Sequence, residues 1–269
     1  MNLGMESMRT RKKVGLALGS GGAKGLAHIG VIKVLERSGV PIDVVVGSSI
    51  GAMVGGFYAS GLTSKDIEEI ALSTDWRRIV SVLSDPALKN GLIGGNKTRA
   101  FIERYVHDKN IEDCRIPFAA IATDLFTGEM VVLRKGSLAS AIRASISIPL
   151  AYVPAEVEGR ILVDGGLASP VPADEVRSAG VDVVIAVNLE QHHCPGKWNP
   201  GWYGIADNSL SIMRHHLSNL NASHADIVIN VDLEKTLWFQ FTDGRPKILA
   251  GEKATEAILP ELDKLLAAS

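Results

Sequence analysis

The sequence predicts an α/β fold: a three-layer αβα domain with a mainly parallel central sheet. Three observations point to it. Short aliphatic runs alternate with segments of helical period along the chain. Two of those runs, Val14–Leu18 and Val44–Val46, end in glycine-rich turns that feed directly into helical patterns. No internal repeat, low-complexity tract or linker divides the 269 residues, a length that one α/β domain fills. Residues 1–12 read as a flexible lead-in and residues 13–269 as a single domain.

Each element has its own justification. Val14–Leu18 is apolar throughout, as a strand buried on both faces should be. After the loop Gly19-Ser20-Gly21-Gly22-Ala23-Lys24-Gly25, the residues Leu26, Ile29, Ile32 and Leu35 mark one face of a helix ending at Gly39. Pro41-Ile42-Asp43 leads into the second strand, and Ala52–Ser60 is a helix stopped by Gly61. Thr63-Ser64-Lys65-Asp66 has the form of a capping box and starts a helix to about Ser73. Residues 84–96 form a Gly/Pro-punctuated loop, and Thr98–Val106 is helical. Phe118–Thr123 and Met130–Leu133 are strands around a Thr127-Gly128 turn. Ser137–Ser145 is a short helix closed by Ser147-Ile148-Pro149. Glu156–Val163 folds as a tight hairpin whose second strand ends at Asp164-Gly165-Gly166. Pro170 and Pro172 enforce an extended exit before a helix over Ala173–Ala179, and Val183–Val187 is another buried strand. Residues 190–204 are irregular. A helix over Ile205–Leu220, a strand over Ile227–Val231 and a closing helix over Glu252–Leu266 complete the chain. Thr236–Phe241 is either a late strand or an apolar loop.

Composition excludes several functions. Apolar residues are 46% and charged residues 22% of the chain, and 28 basic against 30 acidic groups leave a net charge of −2. With no basic stripe interleaved with aromatics, nucleic-acid binding is not expected. Cys114 and Cys194 are too few for a disulfide framework and lack zinc-ligand spacing, which points to a reducing, cytoplasmic compartment. Arg9-Thr10-Arg11-Lys12-Lys13 followed by Val14–Leu18 imitates a signal peptide, but the apolar run breaks at the glycine loop. No apolar run is long enough to span a bilayer, so any membrane contact is peripheral. No EF-hand-like loop is present, and neither a metal nor a cofactor is expected. Oligomeric state is not legible.

The chemistry centres on Gly47-Ser48-Ser49-Ile50-Gly51. Strand, G-x-S-x-G, helix is the layout of a nucleophile elbow, in which the serine sits at the tip of a strained turn. Glycines two residues either side leave room for the crossing chain. Ser49 is the candidate nucleophile; Ser48 stands at the wrong position between the glycines. The loop around Gly21 and Gly22 offers backbone N–H groups unobstructed by side chains, a nest for a phosphate or an oxyanion. A dinucleotide fingerprint fails because Lys24 occupies its last glycine position, and a Walker loop fails because Gly25-Leu26 follow Lys24. Beside Ser49 the oxyanion reading is favoured, with the Ile50 N–H as a further donor. Close helix–strand packing is the alternative use of these glycines. Asp164-Gly165-Gly166 alone is an ordinary turn signal. All three motifs follow strands, and the carboxyl ends of strands in an open parallel sheet share one ligand crevice.

Together and in this order, the glycine loop, G-x-S-x-G and D-G-G resemble the patatin-like phospholipases, as does Arg143-Ala144-Ser145-Ile146-Ser147-Ile148-Pro149. The resemblance spans roughly residues 14–190. Ser20 departs from it, standing where many members have a first glycine. It implies a Ser49–Asp164 dyad without histidine, an oxyanion hole from Gly21, Gly22 and Ile50, and motif glycines Gly25, Gly47, Gly51, Gly165 and Gly166. It implies a lipid or acyl-ester substrate, of (lyso)phospholipid type. Lys24 matches a basic family position, either attracting an anionic head group or simply solvated at a helix start. An ordinary Asp, with a pKa of about 3.9, is a poor base at neutral pH; an apolar shell of Ile161, Leu162 and Val163 would raise it.

Two other functions stay open. His192, His193, His215, His216 and His224 follow Asp164, so the order Ser…Asp…His of a Ser–His acyltransferase or esterase is formally available. A non-hydrolytic lipid-binding protein could keep the same fold. His28 is expected to lie on the first helix without chemistry. As metal ligands the histidine pairs lack acidic or Cys partners at ligand spacing. Trp198, Trp202 and Tyr203 suit a lid, an interfacial anchor or simple packing, and composition does not separate these.

Overall fold

The computed structural model describes residues 11–74, 95–193, 201–233, 236 and 240–267. Among these, eight strands form one sheet: β1 (Val14–Leu18), β2 (Val44–Ser48), β3 (Phe118–Asp124), β4 (Met130–Leu133), β5 (Ala155–Val157), β6 (Arg160–Asp164), β7 (Val183–Asn188) and β8 (Ile227–Asn230). Their order is β5-β6-β3-β2-β1-β7-β8, with β4 also on β3. The stretch from β3 through β2, β1 and β7 to β8 is parallel; β4, β5 and β6 make antiparallel pairs. Helices flank the sheet: α1 (Ala27–Arg37), α2 (Ile50–Ser60), α3 (Ser64–Ser73), α4 (Gly95–Val106), α5 (Leu138–Ser145), α6 (Ala173–Arg177), α7 (Trp202–Ala222) and α8 (Gly244–Ala267).

The two faces of the sheet are covered unequally. Alternate strand residues such as Leu16, Leu18 and Val45 join a large core with α1 to α5 and α8. Ala17, Val46 and Ile121 point the other way, into a smaller cluster with Val176 on α6 and Ala222 at the end of α7. The mainly parallel three-layer prediction therefore matches the fold.

One feature of the topology departs from expectation. The glycine loop and Ser49 do lie at carboxyl ends of parallel strands, but β6 is antiparallel to β3. Asp164 reaches the same rim by register instead: Ser48 pairs with Ile121, and Asp164 pairs with Ala122, the next residue of β3. The carboxyl ends of β2 and β6 thus converge from opposite directions on a single step of β3.

Several boundaries also move. The chain leaves the glycine loop through a 3-10 turn, Gly22–Leu26, before α1 begins. Gly95 and Asn96, expected in a loop, open α4, where Gly95 packs against the Arg143 guanidinium; tertiary contact here outweighs propensity. Residues 84–94 of that loop lie outside the described residues. Trp202 and Tyr203, expected in an irregular stretch, form the first turn of α7, and α8 begins at Gly244, well before Glu252. Trp198 is outside the described residues; Thr236, Gln240 and Phe241 have no regular structure. Arg11 and Lys12, assigned to the lead-in, are tied down: Arg11 donates two hydrogen bonds to Asp43, each 2.7 Å, and Lys12 Nζ donates to the Leu265 carbonyl.

Helices α1 and α8 cross almost backbone to backbone. A Cβ on Gly30 would lie 1.9 Å from the Ile248 carbonyl oxygen, and one on Gly251 would lie 2.0 Å from that of Ala27. Neither neighbour is a side chain that can swing away. Gly30→Ala is therefore expected to destabilise the fold by about 1–3 kcal/mol despite the better helix propensity of alanine. Urea unfolding checks this, and an unchanged midpoint would mean the crossing is not close.

Candidate active site

The elbow is a strained turn with identifiable supports. Ser49 has φ 56° and ψ −123°, a conformation that costs a non-glycine residue on the order of 1–3 kcal/mol. The glycines beside it are required by space: a Cβ on Gly47 would sit 2.4 Å from the Gly51 carbonyl oxygen, and one on Gly51 would sit 2.1 Å from that of Leu18. The Ser49 N–H donates to Ser145 Oγ at 2.8 Å, so a buried hydroxyl at the end of α5 buttresses the turn. Gly25 packs directly on the Ile50 side chain. Ser48, the other serine of the motif, is buried at the end of β2.

Ser49 Oγ donates to Asp164 Oδ2 at 2.5 Å. Asp164 Oδ1 accepts the Gly166 N–H at 2.7 Å, which fixes the carboxylate plane. The Asp164 backbone is clamped from both sides: its N–H donates to the Ser147 carbonyl and its carbonyl accepts from Thr123 Oγ1. Gly165 lies against Ile121 O and Ser48 Oγ, too close for any side chain. Asp164 is only 6% exposed. Burial pushes its pKa up to about 6, against the pull of the Ser49 and Gly166 hydrogen bonds and of the Arg214 charge.

The glycine loop is oriented by bonds on its outer side. The Gly19 carbonyl accepts from His28 Nε2 at 2.7 Å, and the Ser20 N–H donates to the Pro170 carbonyl at 2.7 Å. His28 is fully buried, and that burial lowers its pKa to about 4, so it is neutral with its proton on Nε2. Expected to lie on the first helix without chemistry, it does lie on α1, where it anchors the Gly19 carbonyl. The N–H groups of Gly21 and Gly22 have no acceptor among the described residues. Both glycines line a cavity of about 500 Å³ together with Ser20, Ser49, Asp164 and Gly166. The Ile50 N–H, at the start of α2, is likewise without a backbone acceptor among the described residues, although Ile50 does not line the cavity.

Lys24 is not where a head-group contact would need it. It is 4% exposed, sits outside the cavity walls and pairs with buried Glu190 at 3.2 Å. Two of the late histidines are engaged elsewhere. His215 Nδ1 donates to the Glu190 carbonyl at 2.7 Å, and His224 pairs with Asp174 at 2.8 Å. His216 lines the cavity, but the hydrogen bond of Ser49 Oγ goes to Asp164. Among the described residues no group of three His, Cys, Asp or Glu is arranged to hold a metal ion.

The sequence reading missed Ser145, Thr123 and Arg214. A small polar residue in a helix, like Ser145, or in a strand, like Thr123, gives no sign of its distant partner, which accounts for the first two. Arg214 did carry a signal: with Leu210, Met213 and Leu217 it occupies the cavity face of α7, a cation at positions that helical spacing assigns to the apolar side.

Fold and site together define an α/β protein of the serine-elbow class, with an aspartate as the serine's partner. The patatin-like phospholipase family model matches residues 16–177, and the chain belongs to that family of lipid hydrolases. An uncharacterized NTE family protein of Mycobacterium tuberculosis is 42% identical over 177 residues, which are 66% of this chain and 49% of the relative. Patatin-like phospholipase domain-containing protein 6 of Homo sapiens is 35% identical over 188 residues, 67% of this chain and 14% of the human protein. The chain thus spans half or less of the length of these relatives. Among solved structures, VipD from Legionella pneumophila superimposes with a TM-score of 0.65 at 15% identity, covering 93% of this chain and 67% of VipD. The ExoU–SpcU complex from Pseudomonas aeruginosa gives 0.56 at 15% identity, covering 97% of this chain and 53% of the other. At that identity the likeness concerns the patatin fold alone.

If the elbow is strained as its dihedral angles indicate, Ser49→Gly is expected to be more stable than Ser49→Ala by about 1 kcal/mol, although both lose the hydroxyl. Thermal unfolding of the two variants decides this; the reverse order would show an unstrained turn.

Proposed function

We propose that the protein is a serine acyl hydrolase that cleaves acyl esters of (lyso)phospholipids or related lipids. One observation carries this function: the 2.5 Å hydrogen bond from Ser49 Oγ to a buried Asp164, beside two unpartnered loop amides in one cavity. Asp164 Oδ2 takes the Ser49 proton as Oγ attacks the ester carbonyl carbon. The N–H groups of Gly21, Gly22 and Ile50 stabilise the oxyanion of the tetrahedral intermediate. Collapse expels the alcohol, which leaves with the proton from Asp164, and the acyl group stays on Ser49. Water then attacks the acyl-enzyme, Asp164 accepts its proton, and collapse releases the fatty acid and restores the Ser49 hydroxyl.

Burial supplies the basicity. A carboxylate with a pKa of about 6 is ionised at neutral pH yet a much better base than an exposed aspartate. The Gly166 N–H on Oδ1 leaves Oδ2 free to face the nucleophile. Leu167, Leu210, Met213 and Leu217 give the cavity an apolar wall suited to an acyl chain. Trp202, Ile205, Met213 and Leu220 are exposed along α7, which supports approach to a lipid surface. No helix among the described residues is long and apolar enough to cross a membrane. A cytoplasmic setting is part of the proposal and rests on cysteine usage.

With short-chain nitrophenyl esters and lysophospholipids as substrates, Ser49→Ala is expected to abolish turnover and fluorophosphonate labelling. Asp164→Asn should lower kcat by about 100- to 10,000-fold. Retained activity in Asp164→Asn would rule out the dyad. Because Asp164 must be ionised to act, kcat/KM should fall as pH drops through about 6 and level off above it. A limb near the ordinary aspartate range would contradict the buried-base mechanism.

A further inference from the structure

Arg214 is the one lysine or arginine among the described residues that line the cavity. Its surroundings leave most of its donors unused. Nε faces Glu190 Oε1 at 3.4 Å, but neither atom makes a hydrogen bond. Glu190 Oε2 is already taken by Lys24. Nη1 and Nη2 have neither a hydrogen bond nor an ion pair with any described residue. Lys24, Glu190 and Arg214 therefore carry one net positive charge, and its accessible member is Arg214, whose side chain is 24% exposed against 4% and 3% for the other two.

The position of this charge matters as much as its presence. On α7, Arg214 stands four residues after Leu210 and three before Leu217, so an apolar stripe runs past the guanidinium on one helix face. Its charge is close enough to act on Asp164 across the cavity. Two carboxylates face the same space. The oxygens of Asp164 are held by Ser49 and Gly166, and Asp207 lies about two helical turns before Arg214. A guanidinium with an open fork next to an ester-cleaving serine suits an oxyanion on the substrate, since two parallel N–H donors match two phosphate oxygens.

Building on the hydrolase function above, we propose that Arg214 is a specificity-determining residue whose Nη groups bind the phosphate of a monoacyl phospholipid head group. The same chemistry could come from the carboxylate of the released fatty acid, and the arms of the test separate the two. Palmitoyl lysophosphatidylcholine and monopalmitoylglycerol share the acyl chain and differ in the phosphate. In Arg214→Gln, the ratio of kcat/KM on the first to that on the second should fall by about ten-fold or more, mainly through KM, at a pH well above the Asp164 transition. Arg214→Lys, which keeps the charge without the fork, should fall between wild type and Arg214→Gln. An equal loss on both substrates would overturn the proposal, because Arg214 would then serve the reacting pair or the fold.

Binding tests the same idea without turnover. In a Ser49→Ala background, calorimetry with palmitoyl lysophosphatidylcholine below its micelle concentration should show Kd rising by about ten-fold or more on adding Arg214→Gln. Palmitate binding should change little. If palmitate weakens and the lysophospholipid does not, the residue holds product and the phosphate assignment is wrong. Absence of turnover on every ester would count against the hydrolase function, while the binding arm would still decide Arg214.

Discussion

The site depends on one constraint, the adjacent register of β2 and β6 on β3. Because Ser48 pairs with Ile121 and Asp164 with Ala122, the last residue of one strand and the elbow of the other meet where the two strands run out. A slip of one residue in the β3–β6 pairing would turn every β6 side chain to the opposite face and take the carboxylate with it. Gly165 locks that register, since its backbone packs against Ile121 O and Ser48 Oγ with no room for a Cβ. The end of α5 holds both partners at once. Ser145 supports the Ser49 amide, and two residues on the Ser147 carbonyl accepts from the Asp164 amide. Arg143 stiffens this segment from within, donating to Ser147 Oγ and to the Val153 carbonyl.

This arrangement costs stability, and the cost is tied to pH. Asp164 holds its proton more tightly in the fold than an unfolded aspartate does. The folded chain therefore binds more protons than the unfolded chain between about pH 4 and pH 6, and the contribution of Asp164 to stability falls as pH rises across that window. Above it, a shift from 3.8 to about 6 corresponds to about 3 kcal/mol against the folded state. The strain at Ser49 acts in the same direction. Both terms come from the features that bring the hydroxyl to the cavity wall and make the carboxylate basic, so the large core with α1 to α5 and α8 offsets what the rim loses.

Much of this was legible in the sequence, for definite reasons. Parallel strands buried on both faces read as continuous apolar runs, so β1, β2, β3 and β7 stood out. The elbow was legible because its sterics admit few residue types. Asp164 was found by its motif, but the explanation from parallel-strand ends was incorrect; strand direction is set by pairing across the sheet, which a local pattern does not encode. Helix starts slipped where tertiary contacts decide them, as at Gly95 against Arg143. Ser145 and Thr123 were illegible because a hydroxyl does not announce its partner. His28 was dismissed because the function of a buried imidazole lies in which carbonyl it reaches, here that of Gly19.

The misplacement of Lys24 and the neglect of Arg214 have a common origin in Glu190. This residue follows β7, and its carbonyl accepts from His215, which gives that histidine a structural partner. Its carboxylate is buried, and an isolated buried charge is costly unless a cation meets it. Lys24 is the cation that meets it, reaching inward from the glycine loop and thereby pinning that loop to the end of β7. With one carboxylate oxygen committed to Lys24 and the other poorly aligned with Arg214 Nε, the guanidinium keeps its outer fork open. The lysine of the glycine loop is thus a structural counter-ion, and the cation available to a ligand is the one on α7. Charge near an active site in the sequence is a poor guide to charge in the active site, because a single buried carboxylate decides which cation is consumed and which is left over.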